Sequence, residues 1–297
     1  MALKIKPQAI PDPSDAIRIG SVRTFLDALE KLDRDSRTTY FYRGHPSSTF
    51  SLQPSIYRDP RLIANEDVMF KELLLRCSAD FASLDSTFQT LVKMQHYGLP
   101  TRLLDLTANP LIALYFACDP YEPKAQSGEV LAFAVPTSEV KYFDSDTVSV
   151  IANIARRPKS FEVPPIELDL AEFNKTPEIR YLLHEIKQEK PYFEPGIKRE
   201  HLGSVVCVRP KLNNPRIIRQ DGAFFLFGVS EYKAIPAKMP PRYIASTDSK
   251  RMLVIATEKP RIRSQLEALG ISRSTVFPEI DRVAEFLKSH FAPPSEA

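Results

Sequence analysis

A dense run of polar side chains lies between apolar anchors in the segment 95–107, QHYGLPTRLLDLT. It contains His96, Arg102 and Asp105, and four leucines hold it in a predicted core. Polar groups held between apolar anchors need partners, which are either one another or a ligand. Arg102 and Asp105 are close enough in sequence to pair, and His96 could donate to a ligand or to a backbone carbonyl. The residues alone leave two interpretations open, a satisfied core network and a ligand-binding pocket.

A second candidate is the arginine of Phe41-Tyr42-Arg43-Gly44. Arg43 ends a predicted apolar strand, and Gly44 beside it permits a close approach. The guanidinium presents a rigid fork of donors that suits a phosphate or a carboxylate. On these four residues alone, a structural salt bridge at the strand end is the favoured interpretation.

The composition excludes several classes of site. The cysteines Cys77, Cys118 and Cys207 are far apart, so they form neither a metal-ligand pattern nor a disulfide framework, and no metal is predicted. Only 9 glycines are present, and neither of the usual glycine-rich phosphate motifs occurs. A net charge of +3 is too small to indicate a nucleic-acid partner by itself. Because no apolar run has the length of a membrane span or a signal peptide, we expect a cytoplasmic protein without a membrane-embedded part.

The elements that must position these residues follow from apolar periodicity, caps and breakers. Ser21 can cap the first helix, Gly98 can end the helix before the polar run, and Pro110 suits a first helical turn. Helices are predicted over Ser21–Leu32, Asn65–Leu84, Thr87–Tyr97, from Asn109–Pro110 onward, Lys259–Leu269 and Pro278–His290. In the last helix, Ile280, Val283, Phe286 and Leu287 are predicted to face inward.

Strands are predicted over Thr38–Arg43 (ended by Gly44), Val130–Val135, Ser204–Val208 and Met252–Ala256, with Leu52–Arg58 extended. Gln220-Asp221-Gly222 is predicted to form a turn or a bulge before the apolar run Ala223–Phe227. The pattern indicates an α+β fold with a mixed central sheet and flanking helices. We expect an N-terminal arm over 1–19, a single domain over 20–292 and a loose tail over 293–297. An irregular insertion with short helices is expected to lie over the core near 136–200.

The polar run and the segment after it, NPLIALYFA, resemble the signature of the FRG domain family, named for a Phe-Arg-Gly motif. Here Tyr42-Arg43-Gly44 stands in that place, with tyrosine for phenylalanine. The segments 52–58, 66–70, 216–224, 270–271 and 276–278 are similar to the same family. The resemblance therefore spans about residues 20–290.

The FRG architecture carries a further, fold-level resemblance to ADP-ribosyltransferases, which implies a core of that type and NAD as the substrate. That resemblance implies catalytic roles for Arg43 and Gln220, and Asp105, which lies outside the matched pattern, is predicted as a further catalytic residue. It also implies NAD-binding roles for Arg43, Gly44, His96, Tyr97, Thr101, Arg102, Thr107 and Phe224. Tyr97 or Phe224 would stack on nicotinamide, and Asp221 is an alternative to Gln220. The chain departs from the enzymes in two ways: glutamine stands where glutamate is usual, and Arg102 and Asp105 are additional.

Three functions remain open. The first is an NAD-consuming ADP-ribosyltransferase that acts as a toxin or phage-defence effector on a protein or nucleic-acid acceptor. The second is a module that binds a nucleotide-like or anionic ligand without chemistry. The third is a nucleic-acid-binding protein or nucleic-acid-modifying enzyme that uses the basic runs Arg156–Lys159 and Lys198–Arg199, although such runs are usually solvated surface. The sequence does not indicate an oligomeric state.

Overall fold

The computed structural model describes residues 16–32, 34–119, 126–245 and 251–291. Most of the predicted N-terminal arm and the predicted tail 293–297 lie outside the described residues. All strands belong to one sheet. They are β1 (Ile17–Ile19), β2 (Thr38–His45), β3 (Leu103–Thr107), β4 (Gly128–Pro136), β5 (Lys141–Tyr142), β6 (Val205–Arg209), β7 (Gly222–Phe227), β8 (Ile244–Ala245) and β9 (Met252–Val254).

The sheet is mixed, as predicted. Its order is β1-β9-β4-β2-β3-β7-β6-β5, and β8 pairs with β4. β1 with β9 and β5 with β6 are parallel pairs, whereas the central pairs are antiparallel. The strand predicted over Val130–Val135 is present as β4, which lies between β9 and β2.

Helices flank this sheet, which confirms the α+β class. They are α1 (Val22–Glu30), α2 (Pro60–Ala64), α3 (Glu66–Arg76), α4 (Ser78–Phe81), α5 (Thr87–His96), α6 (Pro110–Ala117), α7 (Asp146–Asn153), α8 (Leu170–Lys175), α9 (Pro177–Glu189), α10 (Arg199–Leu202), α11 (Pro215–Arg219), α12 (Lys259–Ala268), α13 (Arg273–Val276) and α14 (Ile280–Phe291).

The predicted caps are present. The Ser21 hydroxyl accepts from the Thr24 amide at the start of α1. Gly98 has a left-handed φ of +85° just after α5, a conformation that glycine adopts without strain. The Asn109 side chain accepts from the Leu111 amide and Pro110 opens α6. Local chemistry therefore set these three boundaries correctly.

Three local predictions are wrong. Segment 52–58 is not extended throughout, because Ser55–Tyr57 forms a 3₁₀ turn. The long helix predicted over Asn65–Leu84 is broken at Cys77, whose ψ of +38° is not helical. In α14, Ile280 and Leu287 are 89% and 45% exposed, so neither is a core residue. Val283 is half-buried, and the side chain of Phe286 is not among those that the structure describes.

The predicted insertion near 136–200 supplies part of the core. The side chains of Val148, Val150, Ile151 and Ala152 in α7 are fully buried, and they belong to the apolar cluster that also contains Phe88 of α5. This cluster packs on the β3–β7–β6 part of the sheet, where α7 also contacts β7. The segment therefore does not merely lie over a finished core, because its apolar side chains are needed to fill it. In the described residues, no helix combines the length and apolar character needed to cross a bilayer.

Gly44 does not end β2, because the strand continues to His45. A Cβ atom on Gly44 would lie 1.9 Å from the Ala113 carbonyl oxygen and 2.6 Å from the Ala117 nitrogen. Helix α6 therefore packs against β2 at a distance that only glycine permits. The side of Gly44 on which a side chain would lie is therefore filled by α6, and its predicted ligand contact stays a prediction.

We predict that Gly44→Ala lowers the free energy of unfolding by about 1–3 kcal/mol or more, because the clashing atoms are helix backbone that cannot move independently. Urea unfolding measures the loss. Gly196→Ala is the matched control, since a Cβ there meets nothing within 4 Å. Equal midpoints for the two variants would contradict the packing argument.

Candidate functional site

Three adjacent strands bring most of the predicted site residues to one region. β2 pairs with β3 through Tyr42 and Thr107, and β3 pairs with β7 along its length, with Asp105 opposite Phe224. The turn that contains Gln220 leads directly into β7. Residues distant in sequence therefore meet because β2, β3 and β7 are neighbours in the sheet.

Arg43 spans the gap between β2 and β3. Its Nη1 donates to the Asp105 carbonyl oxygen at 2.7 Å and lies 3.8 Å from the Asp105 carboxylate, while Nε donates to His45 Nε2 at 2.8 Å. Burial lowers the pKa of Arg43 to about 10, and the nearby Asp105 charge only partly offsets this. An additional anion at this guanidinium would therefore be stabilising.

Asp105 is an exposed carboxylate held by a relay of hydrogen bonds. The Gln95 side-chain nitrogen donates to Asp105 Oδ1 at 2.8 Å, and the Gln95 side-chain oxygen accepts from the Thr101 hydroxyl. Thr101 is buried, whereas the Asp105 side chain is 64% exposed. Thr101 thus orients Gln95 without reaching solvent, and the Asp105 carboxylate is the group that a ligand can touch.

The Asp105 carboxylate lines a cleft of about 80 Å³ between α5, β3 and the segment around α11. Arg216 contributes a second cation: its pKa is lowered by burial, with Asp105 and Glu279 acting in the opposite direction. Buried Phe224 belongs to the lining. The full lining is Val92, Gln95, His96, Asp105, Leu106, Arg216, Ile217, Gln220, Gly222, Ala223 and Phe224. We name this the Asp105 cleft.

His96 belongs to the lining but both ring nitrogens face protein groups. Nε2 lies 2.9 Å from Glu279 Oε1, and Nδ1 lies 3.4 Å from the Asn214 side-chain nitrogen. Arg216 approaches the same carboxylate at 3.9 Å. His96 therefore couples the cleft to the segment that precedes α14, in addition to lining it.

Gln220 lines one end of the cleft, and Thr107 holds the turn that contains it. The Gln220 side-chain nitrogen donates to the Val276 carbonyl oxygen at 3.0 Å, and the Gln220 carbonyl oxygen accepts from the Thr107 hydroxyl at 2.5 Å. Asp221 follows with a φ of +46°, which makes the predicted turn sharp. Gln220 lines the cleft, whereas the Thr107 hydroxyl is occupied by the turn and by the Asn109 amide.

The predicted role of Arg102 is wrong. Its side chain is fully buried, and it donates to both carboxylate oxygens of Glu66 and, at 3.1 Å, to the Phe227 carbonyl oxygen. Lys233 lies 3.1 Å from the same carboxylate. Arg102 therefore neither pairs with Asp105 nor reaches a ligand. We call Glu66, Arg102 and Lys233 the buried ion cluster.

The predicted aromatic residues occupy different places. Phe224 is 6% exposed and packs edge-on against Phe88, so it offers the cleft part of a wall but no free ring face. Tyr97 is 70% exposed and does not line the Asp105 cleft. Neither geometry supports the predicted stacking on a ligand within this cleft.

Four residues near the cleft were not predicted as site residues: His45, Gln95, Arg216 and Glu279. Gln95 is the first residue of the polar run, and Arg216 lies in a segment similar to the FRG family, so the sequence could have identified both as site residues. No sequence feature indicated Glu279, because its proximity to His96 depends on how the C-terminal part of the chain packs. In the described parts of the chain, no cluster of histidine, cysteine or acidic residues suits a metal ion.

The basic run near 156 has local partners. Arg156 and Arg157 pair with Glu185 at 2.6 Å and 3.2 Å. Their charge is compensated by the helix α9, as expected for structural surface residues. The nucleic-acid alternative therefore gains no support from these two arginines.

Residues 38–126 match the family model described as the FRG domain. The chain therefore contains an FRG domain in this segment. No curated protein and no solved structure matches it. The matched segment contains Arg43, Gln95 and Asp105, whereas Arg216 and Gln220 come from beyond it. The predicted single-domain extent of 20–292 stays a prediction.

We predict that Glu66→Gln costs about 3–5 kcal/mol of stability, because it leaves Arg102 and Lys233 as buried cations without a counter-charge. Glu72→Gln is the control, since Glu72 is a half-exposed partner of Arg76. Chemical denaturation of both variants tests this. A loss for Glu66→Gln no larger than for Glu72→Gln would show that the buried ion cluster is not a major contributor.

The acid sensitivity of the fold should depend on His45. Burial, followed by the charges of Arg43, Arg58 and Arg251, lowers the pKa of His45 to about 2, against 6.5 for an ordinary histidine. Between these values the unfolded state binds the proton and the folded state does not, so stability falls as the pH decreases below 6.5.

We predict that His45→Gln, which keeps an acceptor for Arg43, flattens the dependence of stability on pH between 6.5 and 5. The substitution removes the contribution of His45 to the free energy of unfolding, which has a limiting slope of about 1.4 kcal/mol per pH unit. Urea unfolding across this range is the measurement. His184→Gln, at an exposed position, should keep the parent slope, and an unchanged slope in His45→Gln would contradict the prediction.

Proposed function

We propose that this FRG-domain protein is an NAD-consuming ADP-ribosyltransferase whose catalytic carboxylate is Asp105. The proposal rests on one observation: an exposed carboxylate, oriented by Gln95, lies beside two arginines whose burial lowers their pKa values. A dinucleotide supplies complementary groups, namely ribose hydroxyls for the carboxylate and a diphosphate for the arginines.

The reaction needs charge stabilisation at one carbon. The bond between the ribose C1′ and the nicotinamide nitrogen breaks, both electrons leave with nicotinamide, and positive charge develops on the ribose. Asp105 would accept a hydrogen bond from a ribose hydroxyl and stabilise that charge, while Arg43 and Arg216 hold the diphosphate. The acceptor then bonds to C1′ and releases its proton; with water, the products are ADP-ribose, nicotinamide and a proton.

Asp105 takes the place that the resemblance gave to Gln220. Gln220 cannot act as a carboxylate, and its side-chain nitrogen is bound to the Val276 carbonyl oxygen. Under this proposal Gln220 is a positioning residue that shapes the end of the cleft. Arg43 and Asp105 keep the roles predicted from sequence, whereas Arg102 has none.

NAD consumption in the cytoplasm suits a toxin or phage-defence effector, with a protein or nucleic acid as the acceptor. Loss of NAD is harmful to a cell whether ADP-ribose is transferred to water or to a macromolecule. The proposed role of the Asp105 cleft is therefore the same whether ADP-ribose is transferred to water or to a macromolecule.

The test is release of nicotinamide from NAD, followed by mass spectrometry with and without cell lysate as a source of acceptors. We predict that Asp105→Asn lowers the rate by about 10²–10³-fold, the usual cost of one transition-state charge contact. Asp119→Asn is the matched control, since Asp119 is half-exposed and pairs with Arg263 outside the cleft. Absence of nicotinamide release from the folded wild type under both conditions would reject the proposal.

A second candidate is a binding module without chemistry. The observation that favours it is that Arg43 already forms hydrogen bonds within the protein. Its Nε donates to His45 Nε2, and its Nη1 donates to the Asp105 carbonyl oxygen. It predicts that NAD or ADP-ribose raises the melting temperature and remains intact. It also predicts that Arg43→Ala abolishes the rise, so a rise of equal size in that variant would exclude this candidate.

A further inference from the structure

A second cleft runs along the same helix as the Asp105 cleft. It has a volume of about 230 Å³ and lies between α5 and the segment that enters α11. Val92 and Ile217 line both clefts, so the two are contiguous. We name this second cleft the Gln89 groove.

Helix α5 presents one continuous face to both clefts. Gln89, Val92, Lys93 and His96 are spaced by three or four residues, so they lie on one side of the helix. Gln89 and Lys93 line the groove, His96 lines the Asp105 cleft, and Val92 lines both. The distance from Gln89 to His96 along the axis is about 10 Å. A ligand that spans both clefts would therefore lie along one rigid element.

Gln89 is a largely buried polar residue of the groove. It is 9% exposed, and among the described residues its side-chain amide forms no hydrogen bond. The polar atoms of this amide are not sealed from solvent, so water or a ligand in the groove can satisfy them. Because Gln89 lines the groove, the missing partner can be supplied by a ligand there.

The rest of the lining combines apolar, cationic and neutral polar side chains, the last being Ser83, Asn213 and Asn214. Phe88 and Ile217 are buried, and Tyr97 exposes 70% of its surface. Lys93 contacts the Asp80 carbonyl oxygen and the Phe81 ring at 5.2 Å, and within the described chain it has no carboxylate partner. The groove thus offers an amide, an aromatic face and a positive charge that is not neutralised.

We infer that the Gln89 groove binds the base of an adenine nucleotide. A glutamine amide pairs with adenine through one donor and one acceptor, and an exposed tyrosine ring stacks on a base. Lys93 supplies attraction for a phosphate. The inference rests on the proposed function in one respect, since it assigns the groove to the adenosine half of the same dinucleotide. It also reassigns Tyr97 from nicotinamide to adenine.

The test uses AMP and ribose 5-phosphate as probes, with binding to the full chain measured by calorimetry. We expect AMP to bind more tightly than ribose 5-phosphate. We expect Gln89→Leu to weaken AMP binding about 5- to 150-fold, the range for one bidentate amide–base pair, and to leave ribose 5-phosphate unchanged. Gln188→Leu, which alters a glutamine paired with Arg156 outside the groove, should bind AMP like the parent.

A second variant covers the case in which Gln89→Leu does not fold. Tyr97→Ala removes an exposed ring, so it should preserve the fold and still weaken AMP binding several-fold. Equal affinity for AMP and ribose 5-phosphate, or parent-like AMP binding in both folded variants, would overturn the inference. So would a single-stranded adenine oligonucleotide that binds more tightly than AMP with steep salt dependence, because it would indicate a nucleic-acid site.

Nicotinamide release in the same samples separates this inference from the proposed function. If AMP binds specifically but NAD is not consumed, adenine binding in the Gln89 groove is supported and the proposed ADP-ribosyltransferase activity is rejected. If NAD is consumed but AMP does not bind, adenine binding in the Gln89 groove is rejected and the proposed ADP-ribosyltransferase activity is supported. Asp105→Asn should lower turnover about 10²–10³-fold and retain AMP binding, since Asp105 does not line the groove.

Discussion

The buried ion cluster is the interaction on which the arrangement of the site depends. Glu66 belongs to α3, Arg102 immediately precedes β3, and Arg102 also donates to the carbonyl oxygen at the end of β7. Lys233 donates to the carbonyl oxygens of Ala155 and Arg157, so it ties in the segment after α7. Two cations share one carboxylate out of water, which is tolerable only because backbone carbonyls accept their remaining hydrogens. The start of β3 and the end of β7 are thereby held relative to the helices.

The second constraint is the close approach of α6 to β2 at Gly44. With α6 seated on the strand, β2 lies beside β3, and Arg43 reaches the Asp105 carbonyl oxygen. The glycine and arginine of the motif thus have separate tasks. Gly44 lets a helix pack, and Arg43 joins two strands while keeping an incompletely neutralised charge near a cleft. The physical cost of burying that charge is what makes an anionic ligand favourable there.

The site is divided between the segment that matches the FRG model and the chain beyond it. Arg43, Gln95 and Asp105 come from the matched segment, whereas Arg216, Gln220 and Phe224 come from the later turn and β7. The α5 face links the Asp105 cleft to the Gln89 groove, so one helix carries residues of both. A rigid helix is a suitable support because it maintains the spacing of groups that must bind one extended ligand.

The sequence by itself determined the α+β class, the boundaries of several elements and the two polar segments that supply Arg43 and Asp105. Caps such as Ser21 and Asn109 and the glycine after α5 act over a few residues, so their effect can be read locally. Only the tertiary structure decided which polar residues pair. Arg102 is three residues from Asp105 but binds Glu66, 36 residues away, and His96 lies beside Glu279. Burial makes each such partner obligatory, but strand order and helix packing decide which partner is within reach.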